Sequence, residues 1–370
     1  MKLPSLEIGD LVAKVPIVQG GMGVGISLDG LAAAVANEGG VGVISTAGVG
    51  MSEPTWENDF PRANIEALRK VIRAARDKTK GVLGVNIMVA LTNFEDMVRV
   101  SVEEKIDIIF SGAGLPLNLP ELVEKGARTK LAPIISSGRA AALICKAWWN
   151  RYKRLPDAIV LEGPLAGGHL GFHWDQLDKI EHYSLSTLIK ETIKAVMPFE
   201  NEHSVKIPVI AGGGIFDGQD IAEALQAGAA GVQMATRFVA TDECDASLAF
   251  KESYLKAKSP DDIVLIDSPV GLPGRAVRNE FLDRVKAGEK TPIRCTYHCL
   301  KTCRPSQSPY CIARALVNAK TGQLDQGFAF AGANAWRVNE ITSVKTLMNE
   351  LVTEAEAAYQ EPAQTMDTSS

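Results

Sequence analysis

The sequence predicts an α/β protein, a (β/α)8 TIM barrel carrying a C-terminal cysteine-bearing extension. Three observations carry that prediction. Eight short Val/Ile-rich runs recur between Pro16 and Met234, separated by longer amphipathic stretches. The runs are almost wholly apolar rather than alternating, as in strands covered on both faces. The residues just after them are glycines, small residues and a few polar groups, and the chemistry of a barrel sits in those loops. A doubly wound sheet accepts the same alternation but needs a topological switch point. Eight β-then-α units favour the barrel.

The predicted strands are Pro16–Gln19, Val41–Ser45, Leu83–Asn86, Ile106–Ser111, Leu131–Ser136, Ala158–Leu161, Val209–Ala211 and Gly231–Met234. The predicted helices are Leu31–Asn37, Asn64–Lys78, Phe94–Glu103, Arg139–Trp149, Leu185–Val196, Asp220–Gln226 and Ala246–Lys256. Asn64–Lys78 puts Leu68, Ile72 and Ala75 on one face. Thr92 and Asn93 are candidate caps for the helix that follows them. After Ser259 the alternation stops. The chain then reads as proline-rich loops and short helices, with Val344–Ala357 as a closing helix and 361–370 as a disordered tail. The expected division is a barrel over 1–258, an extension over 259–342, a closing helix over 343–360 and the tail.

Composition narrows the function. The chain has 370 residues, 46% hydrophobic and 22% charged, with a net charge of −5. That is a globular composition with no global attraction to nucleic acid or to a membrane surface. There is no apolar leader and no run of about twenty apolar residues, so a cytoplasmic protein is expected.

The most informative stretch is Leu161–Phe172. Glu162 stands where a strand should end, and Gly163, Pro164, Gly167, Gly168 and Gly171 surround His169. A histidine held on such a glycine turn can give or take a proton near neutrality; a glycine turn with a surface histidine is the plainer alternative. Loops ending in Gly20–Gly25, Asn86, Gly112–Gly114, Gly212–Ile215 and Ala235–Arg237 complete a ring of small residues. Such a ring suits a flat cofactor lying across the barrel mouth. The Gly212–Ile215 and Gln233–Thr236 loops, each followed by a helix, predict an anion site made of backbone amides and a helix N-terminus. Gly20–Gly25 is not a dinucleotide fingerprint, because Ile26 stands where the last glycine is needed. A mononucleotide such as FMN fits better than NAD.

Six cysteines complete the inventory. Cys145 and Cys244 stand apart and read as buried thiols. Cys295, Cys299, Cys303 and Cys311 are spaced C-x3-C-x3-C-x7-C. On a helix Cys295 and Cys303 would lie about 12 Å apart along the axis, too far for one centre. A loop could gather all four around structural zinc or a [4Fe–4S] cube, and His298 could replace one thiol at zinc. The run Lys146–Arg154 is basic and aromatic. It reads as a solvated helix end or as a docking patch for an acidic partner.

Four motifs together, Pro16–Gly23, Glu162–His169, Ala211–Ile215 and Gln233–Thr236, resemble the nitronate monooxygenase (2-nitropropane dioxygenase) family, which includes flavin-dependent enoyl-acyl-carrier-protein reductases. The resemblance spans Pro16–Asn334. The four cysteines, Phe328–Asn334, Tyr310–Ala313 and Arg151–Asp157 are similar to one branch, the acyl-carrier-protein dehydrogenase/isomerases of unsaturated fatty acid synthesis, which carry FMN and a [4Fe–4S] cluster. The resemblance implies His169 as the catalytic acid/base. It implies FMN contacts from Met22, Gly23, Asn86, Glu162, Gly168, Gly213, Gly214, Gln233, Met234 and Thr236, and cluster ligation by Cys295, Cys299, Cys303 and Cys311. The implied partner is an acyl carrier protein, docking through Lys146, Arg151, Lys153 and Arg154, with a homodimer admitted and neither nucleic acid nor membrane involved. Oxidation of a nitronate by FMN and O2, or NAD(P)H-dependent enoyl reduction, are the alternative activities.

Overall fold

The computed structural model describes residues 1–53 and 56–359. Eight parallel strands close into a barrel: β1 Ile17–Gln19, β2 Val41–Ser45, β3 Val82–Met88, β4 Ile108–Gly112, β5 Lys130–Ile135, β6 Ile159–Glu162, β7 Val209–Gly212 and β8 Gly231–Met234. Neighbours in sequence are neighbours in the sheet. β8 pairs with β1, Gln233 opposite Val18, and this contact closes the cylinder. All eight strands fall where the apolar runs place them.

The apolar runs are continuous because each strand faces two cores. Val18, Val41, Val43, Ile108, Phe110, Ala132, Val160 and Ile210 fill the barrel interior. Ile17, Ile44, Leu83, Val85, Ile109 and Ile159 point outward against the helices. The interior is closed at its N-terminal end by a hairpin, Leu6–Ile8 against Leu11–Ala13, whose Leu6, Ile8 and Ala13 join the inner cluster. Its three-residue strands are too short to show a period.

The helices follow local rules. α1 (Asp29–Asn37) lies so close to β2 that a Cβ on Gly42 would sit 1.8 Å from the Ala32 carbonyl oxygen. α2 (Phe60–Lys78) starts at Asp59, whose carboxylate accepts the Arg62 amide, and it buries Ala67, Leu68, Val71, Ile72 and Ala75. α3 is Phe94–Glu103. α4 (Gly138–Tyr152) is capped by Ser137 and buries Ile144, Cys145 and Trp148 against α5 (Leu185–His203). The sequence reading stops α5 at Val196. The helix instead runs through Pro198 to His203, and Ser204 then ends it in the left-handed region. α6 is Gly218–Gln226, α7 Thr236–Val239 and α8 Leu248–Lys256. β4 is followed only by a short turn, Leu119–Leu122, so the helical ring has a gap there.

The extension is not only loops and short helices. β9 (Ile263–Asp267) and β10 (Pro273–Val277) form an antiparallel hairpin, and β10 also pairs with a two-residue strand, Gly168–His169. The histidine of the glycine-rich stretch is therefore on a strand edge stapled to the extension. α9 (Glu280–Lys286) and α10 (Ile312–Lys320) pack there with Leu91, Leu300, Tyr310 and Phe328. The closing helix α11 (Val344–Ala358) returns to the barrel against α6 and α1. The predicted tail, 361–370, lies outside the described residues. No helix of the described residues is long and apolar enough to cross a membrane.

Candidate active site

The C-terminal ends of the strands surround a cavity of about 290 Å³. Met22, Gly23, Asn86, Glu162, Gly168, His169, Gly213, Gly214, Gln233, Met234 and Thr236 all line it. Sequence reasoning thus points to one place from five separate strand ends. It assigns no role to the residues that cover that place. Leu316 of α10, Phe250 and Tyr254 of α8, and Phe330–Asn334 form the remaining wall. The Phe330–Asn334 segment is anchored at several points. Tyr254 donates its hydroxyl hydrogen to the Phe330 carbonyl, Gly332 N–H donates to Thr236 Oγ1, and Asn334 donates to the Gly214 carbonyl.

His169 and Glu162 are, beside Tyr254, the ionisable side chains that line the cavity. Both open into it, so each keeps some accessible surface, yet both are remote from bulk water. Burial lowers the His169 pKa to about 4, so the imidazole is neutral at pH 7. Its Nε2 lies 2.7 Å from Ser268 Oγ, and Phe330 meets the ring edge-on at 4.9 Å. Burial raises Glu162 to about 7, with no protein partner contributing. A carboxyl at that value is protonated in part at neutral pH and can donate a hydrogen bond into the cavity.

The glycine-rich strand-end loop is held by a residue the sequence reading passes over. Arg275, in the middle of β10, is buried without a carboxylate partner, and burial lowers its pKa to about 10. Its guanidinium donates to the carbonyls of Pro164 and Ala166 at 2.7 and 2.5 Å. These bonds fix the loop from inside. From outside, the Phe328–Asn334 segment leaves so little room that a Cβ on Gly167 would stand 2.5 Å from the Ala331 carbonyl carbon. A single arginine in an otherwise unremarkable strand carries no sequence signal.

The anion site differs from expectation in one part. Gly213 and Gly214 have φ of +94° and +96°, which turns the chain at the mouth at little cost only for glycine. The N-terminus of α6, however, is already satisfied. Asp217 accepts the Asp220 amide, Asp220 accepts those of Phe216 and Asp217, and Glu354 accepts that of Gly218. The amides there are spent on three carboxylates, two of which also pair with Arg337, so none is left for an anion. The first turn of α7, which begins at Thr236 in the cavity wall, carries no side-chain cap. Any phosphate is left with the Gly213–Gly214 turn and Thr236.

Cys295, Cys299, Cys303 and Cys311 converge on a small cavity of their own with Tyr297, His298 and Pro305. The segment is a loop, as four converging thiols require. Burial, reinforced by the neighbouring thiols, raises Cys299 to about 12, and burial also raises Cys303. Tyr297 Oη lies 3.0 Å from Cys311 Sγ, and the His298 amide donates to Cys295 Sγ at 3.3 Å. Among the described residues no three His, Cys, Asp or Glu side chains are grouped tightly enough to hold one metal ion. Cys145 and Cys244 are buried, as expected.

Fold and site together define a barrel with a cavity at the strand C-termini, beneath a wall supplied in part by its own extension. Residues 6–354 match the nitronate monooxygenase family, and the chain belongs to that family of oxidoreductases. It is 30% identical over 276 residues to (3aS,4S,5R,7aS)-5-hydroxy-7a-methyl-1-oxo-octahydro-1H-indene-4-carboxyl-CoA dehydrogenase of Mycobacterium tuberculosis, covering 74% of this chain but only 66% of that relative. It is 27% identical over 310 residues to a probable nitronate monooxygenase of Staphylococcus saprophyticus, covering 77% of this chain and 81% of the relative. Among solved structures, FabK from Thermotoga maritima superposes with a TM-score of 0.70 at 31% identity, over 93% of each chain. A nitroalkane oxidase from Streptomyces ansochromogenes shares the fold, with a TM-score of 0.69 at 22% identity over 93% of this chain and 96% of that one.

Proposed function

We propose that this chain is an FMN-dependent oxidoreductase of acyl thioesters carried on an acyl carrier protein, dehydrogenating a saturated acyl group to the 2-enoyl and isomerising that to the 3-enoyl. The observation that carries the reading is a neutral, deeply held imidazole, His169, in one cavity with a protonatable carboxyl, Glu162. The relative named as a carboxyl-CoA dehydrogenase supports thioester oxidation.

The cavity fits a flavin by its own geometry. Its floor is stripped of side chains: a Cβ on Gly21 would lie 2.4 Å from that of Asn86. Asn86, Glu162 and Gln233 offer amide and carboxyl groups toward the ring, and Gly213, Gly214 and Thr236 would hold the phosphate. When bound, FMN supplies the hydride acceptor. His169 supplies the proton chemistry. With Nε2–H donated to Ser268, its Nδ1 lone pair takes the proton alpha to the thioester carbonyl. Isomerisation needs a gamma proton removed and one returned to the alpha carbon. A hydroxyl partner serves both steps, because Ser268 can accept from or donate to the ring, whereas a carboxylate favours one tautomer. The wall around Phe330 keeps water from the intermediate anion.

On the same reading the four cysteines hold a [4Fe–4S] cluster. The convergence of the four thiols on one small cavity supports that reading. The structural likeness to FabK favours a second reading, NAD(P)H-dependent enoyl reduction, and family membership favours a third, nitronate oxidation. The deciding experiment is substrate-dependent reduction of the purified holoprotein without oxygen. A saturated acyl carrier protein thioester that bleaches the flavin supports the proposal. Bleaching only by NAD(P)H or only by a nitronate selects the second or third.

A further inference from the structure

Residues 290–324 contain six Lys and Arg and no Asp or Glu, within a chain of net charge −5. This is the segment that carries the four cysteines and α10. Lys290, Arg294, Lys301 and Arg304 are exposed. Lys301 is tethered, donating through Nζ to the Val89 carbonyl, and Arg314 pairs with Glu57. Among the described residues Lys290, Arg294 and Arg304 have no ion-pair partner. The surface stands beside the mouth of the active cavity. Thr92 N–H donates to the Cys299 carbonyl and Lys301 N–H to that of Ala90, which seats the segment on the loop leaving β3, whose last residue, Met88, lines the cavity. Leu316 of α10 lines it as well.

The basic run at the end of α4 is a poorer candidate. Arg154 is committed to Asp157 and to the Thr129 carbonyl. Lys153 lies over the Trp149 ring. α4 begins at the mouth side of β5 and its 15 residues span about 22 Å, so Arg151–Arg154 stand at the opposite end of the barrel.

We infer that the basic surface around Lys290, Arg294 and Arg304, in a stretch of sequence without Asp or Glu, is the docking surface for an acidic acyl carrier protein, which presents its thioester arm to the adjacent mouth. This rests on the proposed acyl-thioester activity for its substrate and on charge complementarity for its location. The test is the affinity of dye-labelled acyl carrier protein for the holoprotein, read by fluorescence anisotropy. The triple variant Lys290→Glu/Arg294→Glu/Arg304→Glu binds at least about tenfold more weakly, and wild-type binding falls steeply as salt rises past about 0.1 M. Lys290→Glu alone, which stands clear of the cysteines, weakens binding about threefold if the triple variant loses iron. Lys146→Glu/Arg151→Glu leaves affinity unchanged. Unchanged affinity in the triple variant overturns the inference. So does loss confined to the α4 variant, or tighter binding of a labelled oligonucleotide than of the carrier protein. A free acyl-pantetheine thioester is turned over equally by wild type and Lys290→Glu. Failure of wild type to oxidise any acyl thioester defeats the proposed activity, while the affinities still decide the docking surface.

Discussion

Glu162→Gln should stabilise the flavin-free protein, and most at high pH. Burial moves this carboxyl from 4.5 to about 7 in the folded state. A raised carboxyl value means that the native state prefers the proton, so stability is lost as pH climbs from 4.5 to 7. Above pH 8 the cost reaches about 3 kcal/mol, and water entering the cavity trims it to about 2–3. Glutamine is nearly isosteric and never ionises. At pH 8.5 the variant therefore gains about 2–3 kcal/mol over wild type, and at pH 5, where the carboxyl is protonated in the folded state but about three-quarters ionised in the unfolded one, it gains about 0.8. Urea unfolding at the two values measures both, provided the m-value is unchanged. An equal gain at both pH values, or none at pH 8.5, refutes the argument that Glu162 is buried without a partner.

Four further outcomes follow from the structure. His169→Gln keeps the flavin but lowers turnover about 10²–10⁴-fold, the range for loss of a general acid/base, and this is measured by steady-state kinetics. Because the imidazole deprotonates near pH 4 rather than 6.5, the acid limb of kcat/KM falls near 4, and Ser268→Ala moves that limb while Ser268→Thr restores it. Gly167→Ala drives a Cβ into the Ala331 backbone, which costs about 1–3 kcal/mol by thermal unfolding and lowers flavin occupancy on purification. Cys303→Ser with a structural cluster removes iron and loosens the extension while the barrel still binds flavin, as read by iron analysis and proteolysis.

The barrel was legible because burial on two faces writes each strand as an unbroken apolar run, and Ile106–Ser111 or Val209–Ala211 admits little else. The cavity was legible because glycines and single polar residues such as Asn86 and Gln233 end those runs. What stayed hidden depends on distant pairing. His169 is placed by Ser268 and by β10, about a hundred positions away, and β10 itself alternates weakly because all five of its residues are buried. Arg275 acts through two carbonyls of a loop that no local pattern links to it. The amide ends of α6 looked free because Asp217 and Asp220 read as ordinary helix-start residues, and Glu354 reaches them only through the closing helix.

The central claim is that His169 and a bound flavin together oxidise an acyl thioester. The most direct measurement is the visible spectrum of the holoprotein, purified without oxygen, before and after one equivalent of a medium-chain saturated acyl carrier protein thioester. The account predicts that the flavin band bleaches with that substrate alone, and that His169→Gln holds the same flavin without bleaching. A flavin that stays oxidised with the thioester and bleaches with NAD(P)H or a nitronate contradicts it.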